Sequence, residues 1–245
     1  MVKEVTVRYM WTVLAGAALA CGGAEEEARQ LGGSAAGDSA GRRLGGSAAE
    51  MGVVLIVGTS LTAGLGIDPS DAYPARLQEK MADAGLPFRV VNAGVSGETS
   101  AGALARMEWL LRQDPSVVVV ETGANDGLRG LDPDALEANL TAIVERVRAS
   151  APHADIAIVQ MEAPPNFGRS YTRRFRDAYA NVARDQGVLL LPFPLAEVAG
   201  VDSLNQPDGI HPTPSGHRRM ADALWPALEP LLREAAVRAR PAALR

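Results

Sequence analysis

Five short apolar runs alternating with stretches of helical periodicity constrain this chain more than any other feature of it. The first, residues 53–57, ends at Gly58; the others are residues 88–91, 117–120, 156–159 and 188–191, each β-branched or Leu-rich. Continuous apolar runs of this length are the pattern of strands buried on both faces. Helical periodicity fills the intervals near residues 72–84, 101–112, 133–149 and 171–185, with a last helix expected over 214–236. Strand-helix alternation implies parallel strands joined by right-handed crossovers, hence an α/β fold: a three-layer α/β/α sandwich with a parallel sheet of about five strands. Local signals agree, since Asp132 before Pro133 suits a helix N-cap, and Gly85 and Gly187 stand where helices should end. In such a sheet, active groups collect at the carboxyl ends of the strands.

The segment before the first strand is of another kind. Lys3 and Arg8 precede an uncharged run, residues 9–20, too short to span a bilayer but suited to the apolar part of a signal peptide. Residues 1–21 are therefore expected to direct export, which gives a periplasmic, secreted or membrane-anchored protein. Ala18-Leu19-Ala20-Cys21 fits a permissive lipobox, and two outcomes stay open: lipidation of Cys21, with membrane attachment through it, or simple secretion. Residues 22–50 are Gly, Ala, Ser and Glu with few large apolar side chains, and Leu-Gly-Gly-Ser-Ala-Ala occurs twice, from Leu31 and from Leu44. Such a stretch buries too little apolar surface to offset its ordering entropy and reads as a flexible tether. The folded domain is expected over residues 51–236, with 237–245 as a tail.

Composition narrows the chemistry. A single cysteine excludes an internal disulfide framework and a multi-cysteine zinc site. With a net charge of -5 and Lys and Arg scattered along the chain, nothing points to nucleic acid.

Three of the expected strands lead into polar turns. The first leads into Gly58-Thr59-Ser60-Leu61-Thr62, the second into Asn92-Ala93-Gly94-Val95-Ser96-Gly97 and the third into Gly123-Ala124-Asn125-Asp126-Gly127, while Asp208-Gly209-Ile210-His211-Pro212 precedes the last helix. A serine hydroxyl becomes a useful nucleophile only beside a base whose own orientation is fixed by a third group. The chain offers three histidines. His153 precedes a strand at the opposite edge of the sheet, and His217 lies between Gly216 and Arg218 on an expected exposed helix face. His211 alone has a carboxylate three residues earlier, so that in a turn Asp208 can hold one ring nitrogen and direct the other toward Ser60. Asp-x-x-His on its own equally describes a capping aspartate beside a loop histidine. The further requirement of acyl transfer, donors aimed at a developing oxyanion, is met in residue type by the Gly94 amide and the Asn125 side chain. Competing motifs fail: Gly64-Leu65-Gly66 lacks the third glycine of a dinucleotide loop, no phosphate-binding Gly-Lys-Ser or Gly-Lys-Thr occurs, and Thr62 breaks the Gly-x-Ser-x-Gly elbow.

Taken in order, Gly58-Thr59-Ser60-Leu61, Gly94, Gly123-Ala124-Asn125-Asp126 and Asp208-Gly209-Ile210-His211-Pro212 resemble the SGNH, or GDSL, hydrolase superfamily, across essentially the whole domain. The stretches 92–100, 123–130 and 205–212 are most similar to its bacterial arylesterase and periplasmic acyl-CoA thioesterase/lysophospholipase branch. The resemblance implies a flavodoxin-like sheet and a serine ester or thioester hydrolase needing no cofactor or metal. Ser60, Asp208 and His211 would form the triad, and Ser60, Gly94 and Asn125 the oxyanion hole. Thr59 departs from the pattern, standing where the first motif usually has aspartate. Leu128, Leu131, Pro165 and Phe167 are expected to line an acyl groove for a small-molecule ester or thioester, with Glu162 bordering it. Two other readings share these residues: a carbohydrate O-acetylesterase and a noncatalytic surface lipoprotein.

Overall fold

The computed structural model describes residues 51–239. The expected signal peptide, the lipobox at Cys21, the tether and residues 240–245 lie outside the described residues.

Five parallel strands form one sheet: β1 (Gly52–Gly58), β2 (Phe88–Gly94), β3 (Val117–Glu121), β4 (Asp155–Val159) and β5 (Leu189–Leu191), in the order β2-β1-β3-β4-β5. This is the flavodoxin-like order, whose switch point lies at the carboxyl ends of β1 and β3. Residues 53–57 and all of β3 are buried, as apolar runs covered by helices on both faces must be. The helices are α1 (Ser60–Ala63), α2 (Tyr73–Asp83), α3 (Ser100–Leu110), α4 (Ala124–Leu128), α5 (Pro133–Ser150), α6 (Arg169–Gln186) and α7 (Pro214–Ala239). The five longer ones match the periodic stretches of the sequence to within a few residues, except that α7 runs three residues past the expected end of the domain. Asp132 caps α5 by accepting from the Asp134 amide at 3.2 Å, and Gly187 closes α6 in the left-handed conformation.

Two elements differ from expectation. The serine turn and the Asn125 turn each wind into a short helix, α1 and α4, where the sequence suggests only loops. Both are too short for periodicity to register, and each begins within three residues of the end of a strand.

Strand register sets the floor of the site. Gly58 pairs with Gly94 of β2 on one side and with Glu121 of β3 on the other. A side chain at Gly58 would collide with the Thr62 hydroxyl and the Glu121 carboxylate, whose atoms lie 1.9 and 2.6 Å from its Cβ position. The glycine at the end of β1 thus leaves room for a buried carboxylate under the serine turn.

Candidate active site

Ser60 is the first residue of α1, which places its hydroxyl at the carboxyl edge of the sheet. The turn between Gln206 and Thr213 brings His211 to it: His211 Nε2 lies 3.0 Å from Ser60 Oγ, across 151 residues of sequence. The other ring nitrogen, Nδ1, is 2.7 Å from Asp208 Oδ2. Ionised Asp208 only accepts, so the proton sits on Nδ1 and Nε2 is left to accept from the serine hydroxyl. Asp208 is fixed in turn, because its Oδ1 receives the His211 amide at 3.0 Å and the Ile210 amide at 2.9 Å. The His211 amide, the His211 ring and the Ile210 amide, in that order, hold the Asp208 carboxyl well below the usual carboxylate range.

The other two histidines stand elsewhere. His153 pairs with Asp114 at 3.3 Å before the amino ends of the strands. His217 corrects the sequence reading: it is buried, 1% exposed, rather than on an exposed helix face. Its ring stacks on Tyr73 and its Nδ1 accepts the Tyr73 amide at 3.2 Å, while Arg218 and Arg219 take the exposed positions of α7. Burial, with the nearby His211 charge, pushes its pKa down to about 4.

The oxyanion donors also need correction. Gly94 does not line the cleft beside Ser60: its amide donates to Asn92 Oδ1 at 3.0 Å, and a Cβ there would meet the Ala63 nitrogen at 2.2 Å, so its glycine serves the close passage of α1 over β2. The glycine that lines the cleft is Gly97, in the left-handed region at φ +79°. Neither its amide nor that of Ser60 is engaged in a hydrogen bond among the described residues. Asn125 lines the same cleft and spends one Nδ2 hydrogen on the Glu98 carbonyl at 3.0 Å, which leaves the other free. Glu98 is itself clamped by Arg106, whose guanidinium also donates to the Ala93 carbonyl at 2.6 Å. The sequence offered both glycines of Gly94-Val95-Ser96-Gly97, and only strand pairing tells that the first is the last residue of β2.

The cleft beside Ser60 has a volume of about 680 Å³ and is walled by Leu65, Leu128, Met161, Phe193, Leu195 and Ile210, among others. Leu128 and Pro165 line it as expected, and so does Glu162, whose carboxylate is paired with Arg176 at 2.7 and 2.8 Å. Leu131 and Phe167 do not: Phe167 packs on Tyr171 and over Gly130, and the Leu131 carbonyl accepts from Tyr171 Oη. Both border the right loops, but Phe167 is held against Tyr171 of α6 and the Leu131 side chain stays exposed outside the cleft. Among the described residues no group of acidic, His or Cys side chains is arranged to hold a metal ion.

Residues 56–219 match the GDSL-like lipase/acylhydrolase family. The chain belongs to that family. Esterase TesA of Pseudomonas aeruginosa is 43% identical over 180 residues, 73% of this chain and 89% of the relative. Thioesterase 1/protease 1/lysophospholipase L1 of Escherichia coli is 40% identical over 186 residues, 76% of this chain and 87% of the relative. Among solved structures, TesA superimposes with a TM-score of 0.70 at 43% identity over 73% of this chain and 99% of that one. The psychrotrophic esterase EstA from Pseudoalteromonas sp., inhibited by monoethylphosphonate, gives 0.70 at 33% over 74% and 98%. This acylhydrolase departs from the superfamily's first motif at Thr59, which lies fully buried with its amide and hydroxyl donating to Glu121.

Proposed function

We propose that this serine ester hydrolase acts through an acyl-Ser60 intermediate on carboxylic esters or thioesters with an apolar acyl chain. Ser60 Oγ attacks the carbonyl carbon as its proton passes to His211 Nε2, and the imidazolium so formed is held by Asp208. The carbonyl oxygen, now an anion, receives the Ser60 and Gly97 amides and the free Asn125 Nδ2 hydrogen. Collapse of the tetrahedral species breaks the ester bond, and His211 returns the proton to the departing alcohol or thiol. Water, deprotonated by the same nitrogen, then releases the acid and restores Ser60. The observation that carries this reading is the unbroken line Ser60 Oγ, His211, Asp208, at 3.0 and 2.7 Å, opening on an apolar cleft.

The apolar cleft favours an acyl chain over a sugar, because walls of Leu, Met and Ile offer little to a ring of hydroxyls. We assign export to residues 1–21 and a tethering role to 22–50, with lipidation of Cys21 as the anchored alternative to secretion; the mass of the mature N-terminus separates the two.

Hydrolysis of p-nitrophenyl esters from C2 to C16, compared with Ser60→Ala, His211→Ala and Ser96→Ala, tests the reading. Losses of about three decades or more are expected for the first two and little change for the third. A folded Ser60→Ala protein that keeps its rate would refute the assignment.

A further inference from the structure

Glu121 takes no part in the reaction just described, yet it is the most constrained ionisable group near the nucleophile. It ends β3 as the continuation of four valines, is fully buried, and has no cationic side chain within hydrogen-bonding distance among the described residues. Every donor it uses comes from the serine turn. Its Oε2 receives the Thr59 amide at 3.1 Å and the Thr62 hydroxyl at 2.7 Å, and its Oε1 receives the Thr59 hydroxyl at 3.1 Å. Beyond Thr62 the chain of hydrogen bonds continues to Tyr73 Oη at 2.7 Å, and the Tyr73 amide is held by His217. Thr59, Thr62, Tyr73, Glu121 and His217 are all buried. Ser60 sits between the two threonines, and α1 has no side-chain N-cap of its own.

An uncompensated buried carboxylate is costly, and a core can usually do without one. Its retention here directly beneath the nucleophile turn, with all its acceptors turned toward the residues flanking Ser60, points to a role in geometry. We propose that Glu121 is a positioning residue for hydrolysis: as a carboxylate anion it fixes the Thr59 amide and the Thr59 and Thr62 hydroxyls, and so holds Ser60 Oγ toward His211. The proposal rests on Ser60 being the nucleophile. It also accounts for Thr59, since a hydroxyl donor at that position completes the carboxylate's shell where an acidic side chain would repel it.

The groups facing Glu121 are few. Thr59 and Thr62 come from the serine turn and α1, Tyr73 from α2, and Tyr179 of α6 bonds to the adjacent Thr122 carbonyl at 2.8 Å. Arg106 of α3 reaches the Gly58 carbonyl at 3.4 Å and is neutralised by Glu98. Burial raises the Glu121 pKa to about 7 against the pull of the Thr62 and Thr59 donors, so the anion required for positioning disfavours the folded state at alkaline pH. Removing the charge should therefore stabilise the protein while slowing it, a pair of effects that a purely structural residue does not produce.

The test is Glu121→Gln beside wild type and Ser60→Ala, read by kcat and KM on a p-nitrophenyl ester at pH 6 to 9, by the rate of Ser60 labelling with a serine-directed phosphonate, and by melting temperature. Expected are a kcat lower by about ten- to a hundredfold with KM within about threefold, labelling slowed in parallel, and a melting temperature above wild type at pH 8. Glu121→Gln that is folded and within twofold of wild-type kcat across the range overturns the proposal, as does a loss confined to KM. Should Glu121→Gln not fold, Thr59→Val decides: it keeps the carboxylate and one donor fewer, and a kcat equal to wild type refutes positioning through this shell. Activity in folded Ser60→Ala would instead overturn the nucleophile assignment.

Discussion

Asp208 and Glu121 each reach Ser60 through one intervening residue, Asp208 through His211 and Glu121 through Thr59. Asp208 lies on a turn with nearly half its side chain in solvent, takes two backbone amides and one ring nitrogen, and is held ionised well below the carboxylate range. Glu121 has a similar number of donors but is fully buried, and its pKa moves the other way, to about 7. Donor count therefore does not set the direction of the shift here; solvent does. Full desolvation outweighs the hydroxyl and amide donors on Glu121, whereas the exposed Asp208 feels its donors almost alone. In the proposed mechanism the carboxylate that stays charged during proton transfer, Asp208, is thus the one whose charging costs least.

The sharpest way to break this contrast is Asp208→Asn. The amide keeps the size and can still accept from the Ile210 and His211 amides, but it cannot both hold the Nδ1 proton and stabilise an imidazolium. A loss of about ten thousandfold in kcat is expected, far beyond that of Glu121→Gln. Steady-state kinetics on one ester measures both, and equal losses would dissolve the distinction between a residue that meets the reacting proton and one that acts through the turn.

Much of this was legible in the sequence, and what was missed shares a cause. The five strands, the five long helices and the residues Ser60, Asn125, Asp208 and His211 announce themselves through periodicity or through polar turns after apolar runs. Glu121 had a signal too, an acid directly continuing Val117-Val118-Val119-Val120, but nothing in one strand tells that its neighbour across the sheet is Gly58, two residues before Ser60. The same register separates Gly94 from Gly97. His217 looked exposed because Arg218 and Arg219 follow it, and only the packing of α2 on α7 reveals that its face is the buried one. Site residues on loops were readable locally; those defined by pairing between distant strands and helices were not.

Two glycines extend the contrast to stability. At Gly58 an added methyl must displace the Thr62 hydroxyl and the buried Glu121 carboxylate, so Gly58→Ala is expected to cost about 3 kcal/mol and most of the activity. Gly209, in the Asp208 turn, has no atom within 4 Å of its Cβ position and is strained only by its φ of +69°. Gly209→Ala should cost about 1 kcal/mol, read with Gly58→Ala by chemical denaturation. If the two prove equal, the packed shell under β1 is looser than its distances imply.

The smallest effect concerns the far end of the buried chain. His217 and Glu121 both lie in the core, and their pKa values move in opposite directions, which makes their contributions to stability oppose each other. The His217 pKa falls from 6.5 to about 4, so the unfolded chain binds its proton first; that stability is present above pH 6.5 and is lost as pH falls through 4. The Glu121 pKa rises from 4.5 to about 7, so its favourable share is present below pH 4.5 and is lost as pH rises through 7. Between about pH 4.5 and 6.5 the two slopes run against each other, and wild type alone will show little of either. His217→Leu removes one of them and leaves the Tyr73 amide without an acceptor, a loss of about 1–3 kcal/mol at neutral pH. The deficit should narrow as pH is lowered toward 4, because only wild type carries the histidine penalty there. Melting temperatures of the two proteins from pH 4 to 8 measure this directly, and a deficit constant across that range would mean that His217 does not titrate low and that solvent reaches it.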